Sequence, residues 1–259
     1  MDLSATDLED LRRARTLLEN PGLAAKIADR VGMPVVKGFD LLPDRWHGLV
    51  MDAAREAIRK ALDVALLTLD RRTDRPSSDF LHRAAAGVTG AVGGAFGLPA
   101  LAVELPVSTA IMLRSIADIA REEGEDLDAP EARLACLEVL ALGGRSARDD
   151  AADTGYFAAR TAMAAAVSEA VRHVASHGVA STSAPALVRL ITVVASRFSI
   201  TVSEKVAAQA IPVIGAAGGA LINTVFTSHF QDMARGHFTV RRLERRYGAE
   251  IIRRTYDAL

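Results

Sequence analysis

Only one cysteine, Cys136, occurs in 259 residues, so the chain can close no internal disulfide and suits a reducing compartment. Aromatic residues are scarce, at 5% with a single Trp, although half of all residues are apolar. A core built this way is filled by Ala, Val and Leu, which favours helices in close contact. Neither sign of charge dominates: 31 Lys and Arg face 32 Asp and Glu, a net charge of -1. That balance excludes a global field that gathers nucleic acid. Alternation of β-branched residues hardly occurs, so strands are not expected. Met1 to Asp10 is acidic and has no apolar run, so no secretory signal is expected. Clean membrane spans are also missing. Ala84 to Val103 is uncharged over the length of about 20 residues that a span needs, but glycines and Pro99 interrupt it. Val206 to Phe226 holds Gln209, Pro212 and Asn223. Both read as core or membrane-surface helices ahead of true spans.

Within these apolar stretches the same glycine pattern occurs twice. Gly90-Ala91-Val92-Gly93-Gly94-Ala95 returns 125 residues later as Gly215-Ala216-Ala217-Gly218-Gly219-Ala220. Glycine inside a helix costs roughly 1 kcal/mol against alanine, and close helix–helix approach is the usual gain. The flanks of the two copies differ, which favours convergent close packing over duplication.

Breakers and 3.6-residue periodicity divide the chain into helices. These are expected near Ala5 to Glu19, from there to Arg30, and over Asp44 to Leu69. In the last, Val50, Ala54, Ala57, Ala61, Val64 and Leu67 form an apolar stripe. Further helices are expected from Pro99 to Glu123, Glu131 to Leu142, Phe157 to Ser176 and Pro185 to Ala210, and one from Pro212 towards Gly236. The fold expected is all-α, a single compact multi-helix domain with glycine-rich, closely packed central helices. Residues 1–43 read as an N-terminal helical extension and 44–259 as the main helical domain.

Polar residues on these apolar helices are the candidates for chemistry. On the last long helix, Asn223 and His237 fall on one face, while His229 and Asp232 lie mostly on another. A metal or acid–base site from His229, Asp232 and His237 is one reading, and buried polar ties between helices are the other. Glu104 and Glu204 could join His229 in a carboxylate–histidine cluster or could serve as inter-helix salt bridges. His173 and His177, with Glu169 one turn earlier, are a weaker metal candidate. No phosphate loop, nucleophile elbow, dinucleotide fingerprint or zinc signature is present, so no cofactor is named. Cys136, in an apolar helix, reads as core.

Arginine-rich sequence ends the chain. Arg235, Arg241, Arg242, Arg245, Arg246, Arg253 and Arg254 are interleaved with Phe238, Val240, Leu243, Tyr247, Ile251 and Ile252. Such a segment can lie on an anionic membrane, with Arg241, Arg242, Arg245 and Arg246 as the contact, or form an ordinary solvated face. Nucleic acid is not expected as a partner, because the rest of the chain supplies no basic patch.

Two segments together resemble the EcsC protein family. The first is Leu105-Pro106-Val107-Ser108-Thr109 with Met112 to Arg121 and Gly124-Glu125-Asp126-Leu127. The second is Glu204-Lys205, Ile211-Pro212-Val213-Ile214-Gly215, Gly218-Gly219-Ala220, Asn223, the run Phe226 to His237 and Arg242 to Gly248. The resemblance covers Trp46 to Gly248. The family's founding member is encoded beside an ABC transporter, so the resemblance implies membrane-related work in a bacterial protein. It implies no catalytic residue.

Three readings follow. The first is a cytoplasmic helical protein, peripheral at the inner membrane or bound to lipid and accessory to a membrane transport system. The second is a metal-assisted hydrolase using Glu104, Glu204, Asn223, His229, Asp232 and His237. The third is a protein-binding partner of a membrane complex. Oligomeric state is left open.

Overall fold

Ser4 accepts a hydrogen bond from the Asp7 backbone N–H at 3.1 Å and donates to the Asp7 carboxylate at 2.7 Å. This side-chain cap starts the first helix, α1, Ala5–Glu19. The computed structural model describes residues 3–19, 22–32, 34–69, 98–143, 155–178, 183–211 and 215–259. Within them follow α2 (Leu23–Val31), α3 (Val36–Phe39), α4 (Trp46–Thr68), α5 (Leu98–Glu122) and α6 (Pro130–Leu142). Then come α7 (Gly155–His177), α8 (Pro185–Gln209), α9 (Gly215–Tyr247) and α10 (Ala249–Ala258). No strand occurs among the described residues, and the fold is all-α, as expected. Proline opens α6 and α8, where its missing N–H costs no helical bond. The first glycine pattern lies outside the described residues.

Alanine sets the closeness of the core. Ala53, Ala54, Ala57, Ala61 and Ala65 of α4 are buried against α5 and α8, together with Ile58, Leu62 and Leu66. The expected α4 stripe is therefore rotated: Val50 to Ala61 are buried as expected, but Leu67 is 58% exposed. Two guanidiniums close the C-terminal end of α4. Arg133 donates to the Leu66 carbonyl at 2.9 Å, and Arg121 donates to that of Leu69 at 2.8 Å. Phe198, Phe226 and Phe230 fill the space between α8 and α9, with ring centroids 5.1 to 6.1 Å apart.

Hydrogen bonds fix the helix directions. Gln231 to Ser115, Thr239 to Glu123 and Arg241 to Glu125 each join residues 116 apart, so α9 runs parallel to α5 in constant register. Lys205, near the end of α8, reaches Glu104 near the start of α5, so α8 runs the opposite way. A Cβ on Gly38 of α3 would run into the Ala207 carbonyl of α8, and Phe39 packs on Trp46 at 5.5 Å. One end of the bundle thus gathers α3, the starts of α4, α5 and α9, and the end of α8. The opposite end gathers the ends of α4, α5 and α9.

The long glycine-started helix, expected to run from Pro212 towards Gly236, reaches that residue and goes beyond it. The helix continues to Tyr247 and stops at Gly248, whose φ of 91° is left-handed. Gly236 has another task. A Cβ there would sit 2.6 Å from the Leu18 side chain and 3.0 Å from the Ala14 carbonyl. There α1 packs closely on α9.

The stretch Val206 to Phe226 is shared between α8 and α9, so it forms no single helix. Among the described residues one helix, Pro185–Gln209, is long and apolar enough to cross a membrane, and about half of its apolar window is buried.

Candidate functional site

The six residues expected to form a cluster are held apart by separate partners. Glu104 accepts from Lys205 at 2.7 Å. Glu204 accepts from the Ala24 backbone N–H at 3.1 Å, and burial raises its carboxyl to about 7. Asp232 pairs with Lys26 at 2.7 Å. His229 Nε2 lies 3.0 Å from the Gly143 carbonyl, and burial lowers its imidazole to about 4. Asn223 is fully buried. His237 lies in a different setting, beside α7. Among the described residues no three His, Cys, Asp or Glu side chains stand close enough to hold a metal ion. The expected metal site of His229, Asp232 and His237 is therefore corrected: a charge pair already takes Asp232, and a backbone carbonyl takes His229. Glu169 is taken by Arg189 at 2.8 Å, which removes it from His173 and His177. Cys136 is core, with its thiol pushed up by burial.

His237 instead belongs to a polar cluster that sequence reasoning did not assemble. His237, Arg241 and Glu244 follow at i, i+4 and i+7 on one face of α9. Tyr156, in the first turn of α7, places its hydroxyl 3.0 Å from His237 Nδ1. One turn on, Arg160 donates to that hydroxyl at 3.3 Å and grips Glu244 through two bonds of 2.8 and 3.1 Å. The Tyr156 hydroxyl therefore links Arg160 to His237 Nδ1. Nε2 has no hydrogen-bond partner, and the ring is fully buried. Burial, with the nearby Arg160 and Arg241 charges, holds His237 well below the ordinary imidazole range, so it is neutral.

Glu138 of α6 completes the cluster. Its Oε2 lies 4.0 Å from His237 Nε2, beyond hydrogen-bond reach. Burial raises its carboxyl to about 7, against the opposing charges of Arg160 and Arg241. Glu138, Arg160, Arg241 and Glu244 line a cleft of about 500 Å³ between α6, α7, α9 and α10, with Phe157 on its wall. Chemically, this lining offers one carboxyl poised near neutrality, whereas His237 is fully buried and is not part of it.

Sequence gave little notice of these partners. Glu138, Tyr156, Arg160 and Glu244 come from three helices, and only Glu244 shares a periodic face with His237. Tyr156 is one of three tyrosines in the chain, the one available cue.

The arginines expected to face lipid are occupied. Arg241 grips Glu125 through two bonds of 2.8 and 3.0 Å. Arg242 pairs with Glu123 at 2.7 Å and Asp10 at 2.8 Å. Arg245 also pairs with Glu125, and Arg246 reaches Asp7 at 3.1 Å. Burial pushes the Glu125 carboxyl up, but Arg241 and Arg245 hold it below its ordinary value.

Large exposed aliphatic side chains gather elsewhere. Val36, Leu41, Leu49, Val103, Val107 and Leu221 all lie on the segments that meet at the α3 end of the bundle. The other exposed large hydrophobic residues among those described, Leu67, Val188 and Leu259, lie away from it.

A family model described as the EcsC protein family matches residues 16–243. No curated protein and no solved structure matches the chain.

Proposed function

The chain belongs to the EcsC protein family, and on that premise we propose that it associates with a membrane surface through the α3 end of the bundle. The observation that carries this reading is the concentration of exposed aliphatic residues there, with Val36 at 71% and Val103 at 73% exposure. Single exposed hydrophobic residues are ordinary, whereas several on one end are characteristic of a contact surface. Each Val or Leu fully withdrawn from water contributes about 1.5–3 kcal/mol, so a few suffice for reversible docking. The stretch from Ala84, uncharged in sequence, leads into α5 at this same end. The family resemblance supports an accessory role to a membrane transport system within this reading.

The arginine segment is the rival contact, and its ion pairs weigh against it. Flotation with phosphatidylglycerol and phosphatidylcholine vesicles at low and high salt separates the two. Docking by the apolar end predicts binding that persists at high salt. It also predicts loss of binding in Val36→Ser/Leu49→Ser/Val103→Ser/Val107→Ser, each change being at an exposed position. Flotation of that variant at the wild-type level overturns the proposal. Binding lost at high salt, and lost with Arg241, Arg242, Arg245 and Arg246 all changed to Gln, assigns the contact to the arginine segment instead.

A further inference from the structure

The cleft between α6, α7, α9 and α10 is remote from the α3 end, and what it can hold does not depend on membrane docking. One face of α7 forms its long wall, where Phe157, Thr161, Ala164, Ser168 and Arg172 follow at helical spacing. At the helical rise of about 1.5 Å per residue, that wall is about 22 Å long from Phe157 to Arg172. Ala164, Val167 and Val171 give it an apolar strip. The volume, about 500 Å³, falls in the range of small-molecule sites.

Unheld charges of both signs line this space. Arg160 is taken by Glu244, Arg241 by Glu125, and Glu250 leans on Arg254 at 3.8 Å. The other charged groups of the lining have no such partner. Glu131 and Glu138 accept no hydrogen bond, and Arg172 and Arg253 pair with no carboxylate, among the described residues. The Glu138 side chain is only 13% exposed. Burial raises its carboxyl to about 7, and an ammonium at hydrogen-bond distance would favour the ionised form. Arg253 stands over the Phe157 ring at 5.6 Å. Arg160, the foremost cation acting on Glu138, stands over the same ring at 5.7 Å. Glu138 and Arg253 therefore share one end of the cleft, whereas Arg172 lies four turns further along α7. An anion alone would meet Glu131 and Glu138, and a cation alone would meet Arg172 and Arg253. A molecule that carries both signs satisfies both sets, and its apolar body can lie on the α7 strip.

We propose that this cleft binds a small zwitterion with an apolar body, an apolar amino acid or dipeptide, with its ammonium on Glu138 and its carboxylate on Arg253. The test uses the full chain and calorimetric titration at pH 8 with L-leucine and with L-leucyl-L-leucine. N-acetyl-L-leucine and L-leucinamide, which keep the body and one charge each, are the controls. Saturable binding of a zwitterion, about tenfold tighter than either control, is expected. Glu138→Gln and Arg253→Gln should each weaken it about tenfold, because each removes the charged partner of one end. Ala164→Trp, on the exposed wall of the cleft, should abolish it by filling the space while leaving thermal unfolding unchanged. The proposal is overturned if neither zwitterion binds or if a control binds as tightly. It is equally overturned if binding keeps its wild-type strength in Glu138→Gln or Arg253→Gln, or survives Ala164→Trp.

Discussion

Lys205 Nζ lies 2.7 Å from Glu104 Oε1, with the two side chains 0% and 6% exposed, and the pair bridges α8 and α5. The ammonium also lies 4.9 Å from the centre of the Phe226 ring, and burial lowers its pKa. Removing one partner strands a buried charge. Lys205→Met should cost about 3–5 kcal/mol, and Lys205→Met/Glu104→Leu should return close to wild-type stability. Urea unfolding of the three proteins checks this. A single variant within about 1 kcal/mol of wild type would show that Glu104 reaches water or another donor.

Gly236 gives a prediction opposite to helix propensity. In an exposed helix, Gly→Ala gains about 1 kcal/mol. Here the new methyl group meets Leu18 at 2.6 Å and the Ala14 carbonyl at 3.0 Å, so α1 must shift off α9. Gly236→Ala should destabilise by about 1–3 kcal/mol, the usual cost of overpacking. Gly236→Ala/Leu18→Ala should recover part of the loss if the Leu18 clash dominates. Thermal melts of both variants give the sign directly.

Gly236 also marks the limit of what the chain's own pattern makes legible. Periodicity and breakers place most helices to within a few residues, because local signals such as Pro130, Pro185 and Gly178 act locally. A glycine that serves close approach has the same local appearance as one that ends a helix, and only the position of α1 tells them apart. The polar residues behave similarly. His229, Asp232, His237, Glu104 and Glu204 stand out as polar groups on apolar helices. Their partners Gly143, Lys26, Tyr156, Lys205 and Ala24 lie 86, 206, 81, 101 and 180 residues away. Spacing along one helix cannot reveal such pairings.

The arginine-rich end of α9 should contribute to stability unevenly. Glu125 is 5% exposed on its side chain and Arg241 20%, and the pair is bidentate. Arg241→Gln should cost about 2 kcal/mol, in the range for hydrogen bonds to charged groups. Arg246 is 63% exposed in its pair with Asp7, and Arg246→Gln should cost less than about 1 kcal/mol. Raising salt should shrink the second effect more than the first. Denaturant midpoints at two salt concentrations test the order, and equal costs would contradict the internal role assigned to Arg241.

Glu138 predicts a pH dependence that one substitution can isolate. His237, Arg160, Arg241, Glu131 and Glu244 are the charged or titratable groups that surround it. Its carboxyl titrates near 7 in the fold and near 4.5, its ordinary value, when unfolded. Between those values the folded state holds the extra proton, so this group's contribution falls as pH rises through the window and is constant above it. His229, near 4 in the fold, acts with the opposite sign: its contribution is present above about 6.5 and is lost as pH falls towards 4. The wild-type curve therefore mixes opposing slopes, and Glu204, also near 7, adds to the first. Comparing Glu138→Gln with wild type cancels the shared groups. The variant should gain about 2–3 kcal/mol relative to wild type between pH 4.5 and pH 8. Urea unfolding across that range measures the difference, and a flat difference would mean that the Glu138 carboxyl is ionised in the fold throughout.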